Sequence, residues 1–136
     1  MIKKYEIGKM RLQHVAFICE DIKLMEEYYS KVFGFKRVKT FNNGKKNEFF
    51  ILRRDDVRIE LFPKKEEKSY GDWRFKHFAI SVDSIDAIIN YLESMKIKVD
   101  KIIDYSTNEN KFKICFITDP EGNVIEFMEG YMDDNK

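Results

Sequence analysis

The hydrophobic positions change period along this chain, and then the same series of changes begins again. Leu12 to Ile18 reads as a strand, and Asp21 offers a carboxylate that can cap the free backbone N–H groups of a following helix. Ile22, Met25, Tyr29 and Val32 recur at helical spacing, and Gly34 is a natural stop. A strand over Phe35 to Phe41 then meets "NNGKK", where Asn43-Gly44 supplies the positive φ of a tight hairpin. Glu48 to Arg53, a turn at "RDD" and the strand "VRIELF" complete a β-α-β-β-β series. The charged stretch "PKKEEKSYGDW" follows, and Lys64 to Lys68 read as a solvated connector.

The second series runs in the same order. Lys76 to Val82 is a strand, Ser84 a cap, and Ile85, Ile88, Ile89 and Leu92 the apolar stripe of a helix. Ile97 to Ile103, Lys111 to Thr118 and Val124 to Met128 read as strands, the last two joined by the turn "DPEGN". At an offset of 63 positions His14 meets His77, Ala16 meets Ala79, Ile22 meets Ile85 and Tyr28 meets Tyr91. At an offset of 66, Phe50 meets Phe116, Ile51 meets Ile117, Ile59 meets Ile125 and Glu60 meets Glu126. Eight matches in order argue for an internal duplication. The expectation is an α+β fold of two tandem βαβββ modules, their mixed sheet curved into a cup with the helices outside. Module one covers about 11–62, a linker 63–75, module two about 76–129 and a polar tail 130–136, all within a single domain over 1–136.

Composition narrows the class. A length of 136 residues with 43% hydrophobic and 15% aromatic positions suffices for a packed core. Twenty-five basic against 24 acidic residues leave +1 net, so no electrostatic footprint for nucleic acid or an anionic membrane is present. Without a membrane-length apolar run or a signal-like leader, a cytoplasmic protein is expected. Cys19 and Cys115 sit in apolar contexts and read as core residues.

Strand alternation sorts the faces. Val15 and Phe17 share one side of the first strand, with His14, Leu12 and Ala16 opposite; Ile59 and Leu61 share a side of "VRIELF", with Glu60 opposite. His77 and Glu126 fall likewise opposite the apolar sides of their strands. The apolar sides suit packing against the helices, which leaves the two histidines and two glutamates on the inner face. A single strand histidine is more often a hydrogen-bonded core residue, but four polar residues at equivalent places in two repeats point to a shared metal site. Imidazole favours zinc, nickel, cobalt or iron over calcium, and two carboxylates leave room for water or substrate.

The stretches "MRLQHVAFICEDIKLMEEYYSKVFGF", "VRIELF", "FKHFAISVDSIDAI" and above all "FITDPEGNVIEFME" resemble the vicinal oxygen chelate superfamily of glyoxalases, bleomycin-resistance proteins and dioxygenases, over roughly residues 11 to 129. The ligand order His14, Glu60, His77, Glu126 is most similar to bacterial glyoxalase I. That resemblance implies a lactoylglutathione lyase type of enzyme, a homodimer holding one divalent metal per site (Zn or Ni first, then Co, Fe or Mn). It would isomerise a thiol hemithioacetal or similar α-hydroxycarbonyl through a metal-stabilised enediolate, with Glu126 or Glu60 as the base. One departure is visible: the Arg and Asn with which that family contacts glutathione are here Ile18 and Lys64. An epimerase of the methylmalonyl-CoA type, a thiol transferase and a small-molecule-binding protein are the competing readings. Trp73 is assigned to linker burial, a pocket cap or a subunit interface.

Overall fold

The computed structural model describes residues 3–64, 77–120 and 123–134. Trp73, most of the charged connector and two residues of the "DPEGN" turn lie outside the described residues. The element order is a 3-10 turn at Lys4–Ile7, β1 (Met10–Cys19), α1 (Ile22–Phe33), β2 (Lys36–Phe41), β3 (Phe49–Arg54), β4 (Val57–Pro63), β5 (His77–Val82), α2 (Ile85–Ser94), β6 (Lys101–Asp104), β7 (Lys113–Thr118) and β8 (Val124–Glu129). This is the expected βαβββ series, twice. The chain divides into two compact units, one of residues 14–64 with 133–134, the other of 3–13 with 77–120 and 123–132.

In the first module the strands run β2-β3-β4-β1. β1 and β4 are parallel, and the two hairpins β2-β3 and β3-β4 are antiparallel. α1 begins where the Leu24 N–H donates to the Asp21 carboxylate at 3.0 Å, and ends at Gly34, whose φ of 78° is the left-handed conformation. Ile22, Met25 and Tyr29 pack on a cluster of Cys19, Phe35, Phe50, Leu52, Ile59 and Leu61. Val32, expected in that stripe, is exposed instead. Val15 and Phe17 lie opposite Ile59 and Leu61 in register, yet keep 37% and 38% of their surface exposed. The helix stripe is only three half-buried residues wide, too narrow to cover β1 as well as β3 and β4.

The second module repeats the order as β5-β8-β7-β6, with β5 and β8 parallel and the rest antiparallel. Ser84 caps α2 by accepting from the Ala87 N–H at 3.1 Å. Ile85, Ile88 and Leu92 are buried against Ile7, Val82, Cys115, Ile117 and Phe127. Glu129 adds a second grip on this helix, its carboxylate accepting from the Ile85 N–H at 2.8 Å. Among the described residues no helix is long and apolar enough to cross a membrane.

Three expectations are corrected. The connection after β2 is a loop over 42–48 in which Asn42 and Gly44 carry the positive φ, not a two-residue turn at Asn43-Gly44. The strand expected over Ile97 to Ile103 shrinks to Lys101–Asp104. The matches Phe50/Phe116 and Ile51/Ile117 are out by one: Ile51 pairs with Glu60, whereas Phe116 pairs with Glu126. The second hairpin is one residue longer, and a slip of one residue sends a side chain to the opposite face.

Candidate metal and substrate site

β1 and β4 of the first module run in the same direction with Ala16 directly beside Glu60. His14, two residues earlier on β1, shares the face of Ala16. Its Nε2 stands 3.2 Å from Glu60 Oε1. Both side chains are almost wholly buried, at 1% and 7% exposed. The second module repeats the construction: Ala79 lies beside Glu126, and His77 Nε2 is 3.1 Å from Glu126 Oε1. His77 also stands edge-on to Phe116, with ring centres 6.2 Å apart. The alanine of the sequence His-x-Ala therefore has a structural reason. On the β1 or β5 side of each glutamate only a methyl group occupies the inner face, and the carboxylate can fold back toward the histidine one pleat away.

Burying a carboxylate is costly unless a partner compensates it. Here the facing group in each module is an imidazole, a residue equally suited to bind a metal or a proton. Imidazole nitrogen and carboxylate oxygen are the donors a divalent first-row metal accepts, so each pair could serve as metal ligands. All four residues expected from the sequence are thus placed as buried His–Glu pairs on equivalent strands.

The positions that depart from glutathione recognition are also defined. Ile18 is half-buried beside Phe62. Lys64 reaches Glu20 at 2.6 Å on the surface, and that hydrogen bond raises its pKa. Of the two thiols, burial raises both, and the Cys115 thiol is pushed up to about 12 by burial and then by the Glu126 charge. A cavity of about 530 Å³ at the end of α1, lined by Phe33, Phe35, Arg54 and Val57 among others, contains none of the candidate ligands. The role of the alanines escaped the sequence reading, although both lie in the repeated His-x-Ala pattern.

The model of the Glyoxalase/Bleomycin resistance protein/Dioxygenase superfamily matches residues 11–127, and the chain belongs to that family. It is 25% identical over 130 residues to the uncharacterized protein YaeR of Escherichia coli, covering 90% of this chain and 98% of that one. It is 27% identical over 125 residues to a probable trivalent organoarsenical cleaving enzyme of Bacillus subtilis, covering 87% of this chain and 79% of the relative. Methylmalonyl-CoA epimerase from Mycobacterium tuberculosis superposes with a TM-score of 0.67 at 22% identity, covering 89% of this chain and 88% of the other, a likeness of fold.

Proposed function

We propose that this chain is a metal-dependent enzyme that moves a proton at a carbon beside a carbonyl, with His14, Glu60, His77 and Glu126 as the shared ligands of one divalent transition metal, zinc or nickel first. The observation that carries this reading is the same buried His–Glu pair, with the same alanine beside it, built twice in a duplicated chain of this family. Two imidazoles and two carboxylates suit such an ion in both charge and softness. When bound, it supplies a Lewis acid for a substrate that offers two vicinal oxygens, acidifying the carbon-bound proton between them.

The chain's own residues do the rest. Glu60 or Glu126 accepts the proton from one carbon and returns it to the next, while the histidines hold their places. Burial of both glutamates keeps bulk water from exchanging with the proton in transit. The substrate is a hemithioacetal or similar α-hydroxycarbonyl. With Ile18 and Lys64 in place of the glutathione contacts, the thiol is one other than glutathione. Cleavage of trivalent organoarsenicals fits less well. Trivalent arsenic is soft and seeks thiolates, whereas both cysteines here are buried and held as thiols.

Elemental analysis of protein purified without a metal-affinity tag, before and after chelation and reconstitution, tests the metal. About one transition metal per chain is expected; protein that retains none and takes up none overturns the reading. Glu60→Gln and Glu126→Gln then identify the base, which should lose about 10²- to 10⁴-fold in kcat on hemithioacetals of several thiols while metal remains bound. Full activity in a metal-loaded Glu126→Gln protein removes Glu126 from that role.

A further inference from the structure

The inner face of the first module carries a feature that proton transfer does not require. Phe41 and Phe49 stack with centres 4.7 Å apart and planes inclined by 13°, and Phe49 and Phe62 stack at 4.5 Å and 24°. Phe41 pairs with Phe49 across β2 and β3, and Ile18 pairs with Phe62 across β1 and β4. The row therefore crosses all four strands of the module. It lies on the face of Glu60, because Phe62 is two residues further along the same strand. That places the row about 7 Å along β4 from the glutamate.

Aromatic pairs settle into either offset-stacked or edge-to-face contact, and this row is stacked throughout. Rings of α1 and its neighbour Phe35 meet edge-to-face instead, with Tyr28–Tyr29 at 89° and Tyr29–Phe35 at 75°. Rings stacked in a row present one continuous flat, apolar edge. Phe62 is buried at 2% exposure, while Phe41 and Phe49 are only half-buried. Ile18 extends the same row across β1, where a glutathione-type site would place a cation.

Resting on the metal-dependent reading above, we infer that this row is the specificity platform of the site. It takes a planar apolar group, an aryl or conjugated substituent, from a substrate whose two vicinal oxygens lie at the His14–Glu60 pair. A peptide thiol with its charged termini would leave those charges against phenylalanine and isoleucine, desolvated without partners.

The test compares benzohydroxamate with acetohydroxamate, which present the same two vicinal oxygens and differ only by the ring. Titration calorimetry on the metal-loaded protein should give benzohydroxamate an advantage of about tenfold beyond the ratio measured for the free ion. Phe49→Leu and Phe41→Leu keep apolar volume and remove the ring from the row. Each should shrink the advantage while leaving acetohydroxamate affinity unchanged. Equal binding of the two probes by the unaltered protein overturns the platform and leaves the metal reading standing. An advantage that survives both substitutions overturns it as well. Binding of neither hydroxamate overturns both readings together, whereas binding of acetohydroxamate alone overturns only the platform.

Discussion

The alanines beside the two glutamates are as informative as the histidines. Strand alternation makes His14 and Ala16, and equally His77 and Ala79, neighbours on one face, and the parallel register puts each alanine next to a carboxylate. Ala79 is wholly buried, so Ala79→Leu would insert three carbons beside Glu126. We expect a loss of about 1–3 kcal/mol from overpacking and, through displacement of Glu126, weaker metal retention. A thermal melt with parallel metal analysis reads both. The cysteines give a second check. In the folded protein a thiol reagent should modify neither Cys19 nor Cys115, and denaturant should release both. Because the folded Cys115 pKa is raised from 9.0 to about 12, the native state keeps a proton that the unfolded chain has lost. Its contribution to stability is therefore complete below pH 9 and declines as the pH rises from there toward 12. A denaturant midpoint that stays level across that alkaline range would contradict this. At this scale the sequence was most legible: residue type, spacing and repetition picked out the two histidines and two glutamates that form the buried pairs. The exposure of Val15 and Phe17 was illegible, because alternation assigns a face but not what covers it.

Elements were legible where a local signal sets them. Asp21, Gly34 and Ser84 each cap or end a helix where their chemistry predicts. The misread loop depends on a partner outside the Asn-Gly pair. The Gly44 N–H is held by the Glu48 carboxylate at 2.9 Å, and that backbone bond is the main reason the Glu48 pKa is lowered. The loop is thereby wider than Asn-Gly alone suggests. Arg37 grips Glu26 through two hydrogen bonds of 2.7 and 2.6 Å and lies 3.7 Å over the Phe50 ring, tying α1 to β2 and β3. Nothing in the spacing of Glu26 and Arg37 announces that clamp. The sharpest constraint follows β8. Gly130 has a φ of 82°, and a Cβ there would collide with the Lys111 carbonyl oxygen. Gly130→Ala should cost about 2–4 kcal/mol from strain and collision together, measured by denaturant unfolding. Asp21→Ala, which removes one cap from an exposed helix end, should cost only about 1 kcal/mol.

At the scale of the whole molecule, duplication explains why the fold could be read from a single sequence. Each module supplied a second reading of the other, and a one-residue difference in hairpin length was the only part of the register the comparison misplaced. The residues after β8 had no such double. Read from composition they are a polar tail, yet Asp133 and Asp134 belong with the first compact unit. Asp133 lies between Arg53, at 2.7 Å, and Arg58, at 3.1 Å, with its side chain only 4% exposed. The Asp134 N–H donates to the Val38 carbonyl at 2.8 Å, and its carboxylate meets Lys39 at 2.9 Å. These partners are 75 to 96 positions away, beyond any local pattern. The two acids should differ in weight. Asp134 and Lys39 form an exposed pair worth well under about 1 kcal/mol and weakened by salt. Asp133→Ala removes the buried carboxylate that both guanidinium groups share and should cost about 2 kcal/mol, or roughly 6 °C in Tm. That loss should persist in 0.5 M (about a 4 Å screening length) sodium chloride, because the pair is shielded from solvent. A double-mutant cycle of Asp133→Ala with Arg58→Ala, measured at low and high salt, separates the accounts: strong coupling at both salts marks a built clasp, whereas additivity reduces the tail to surface charge.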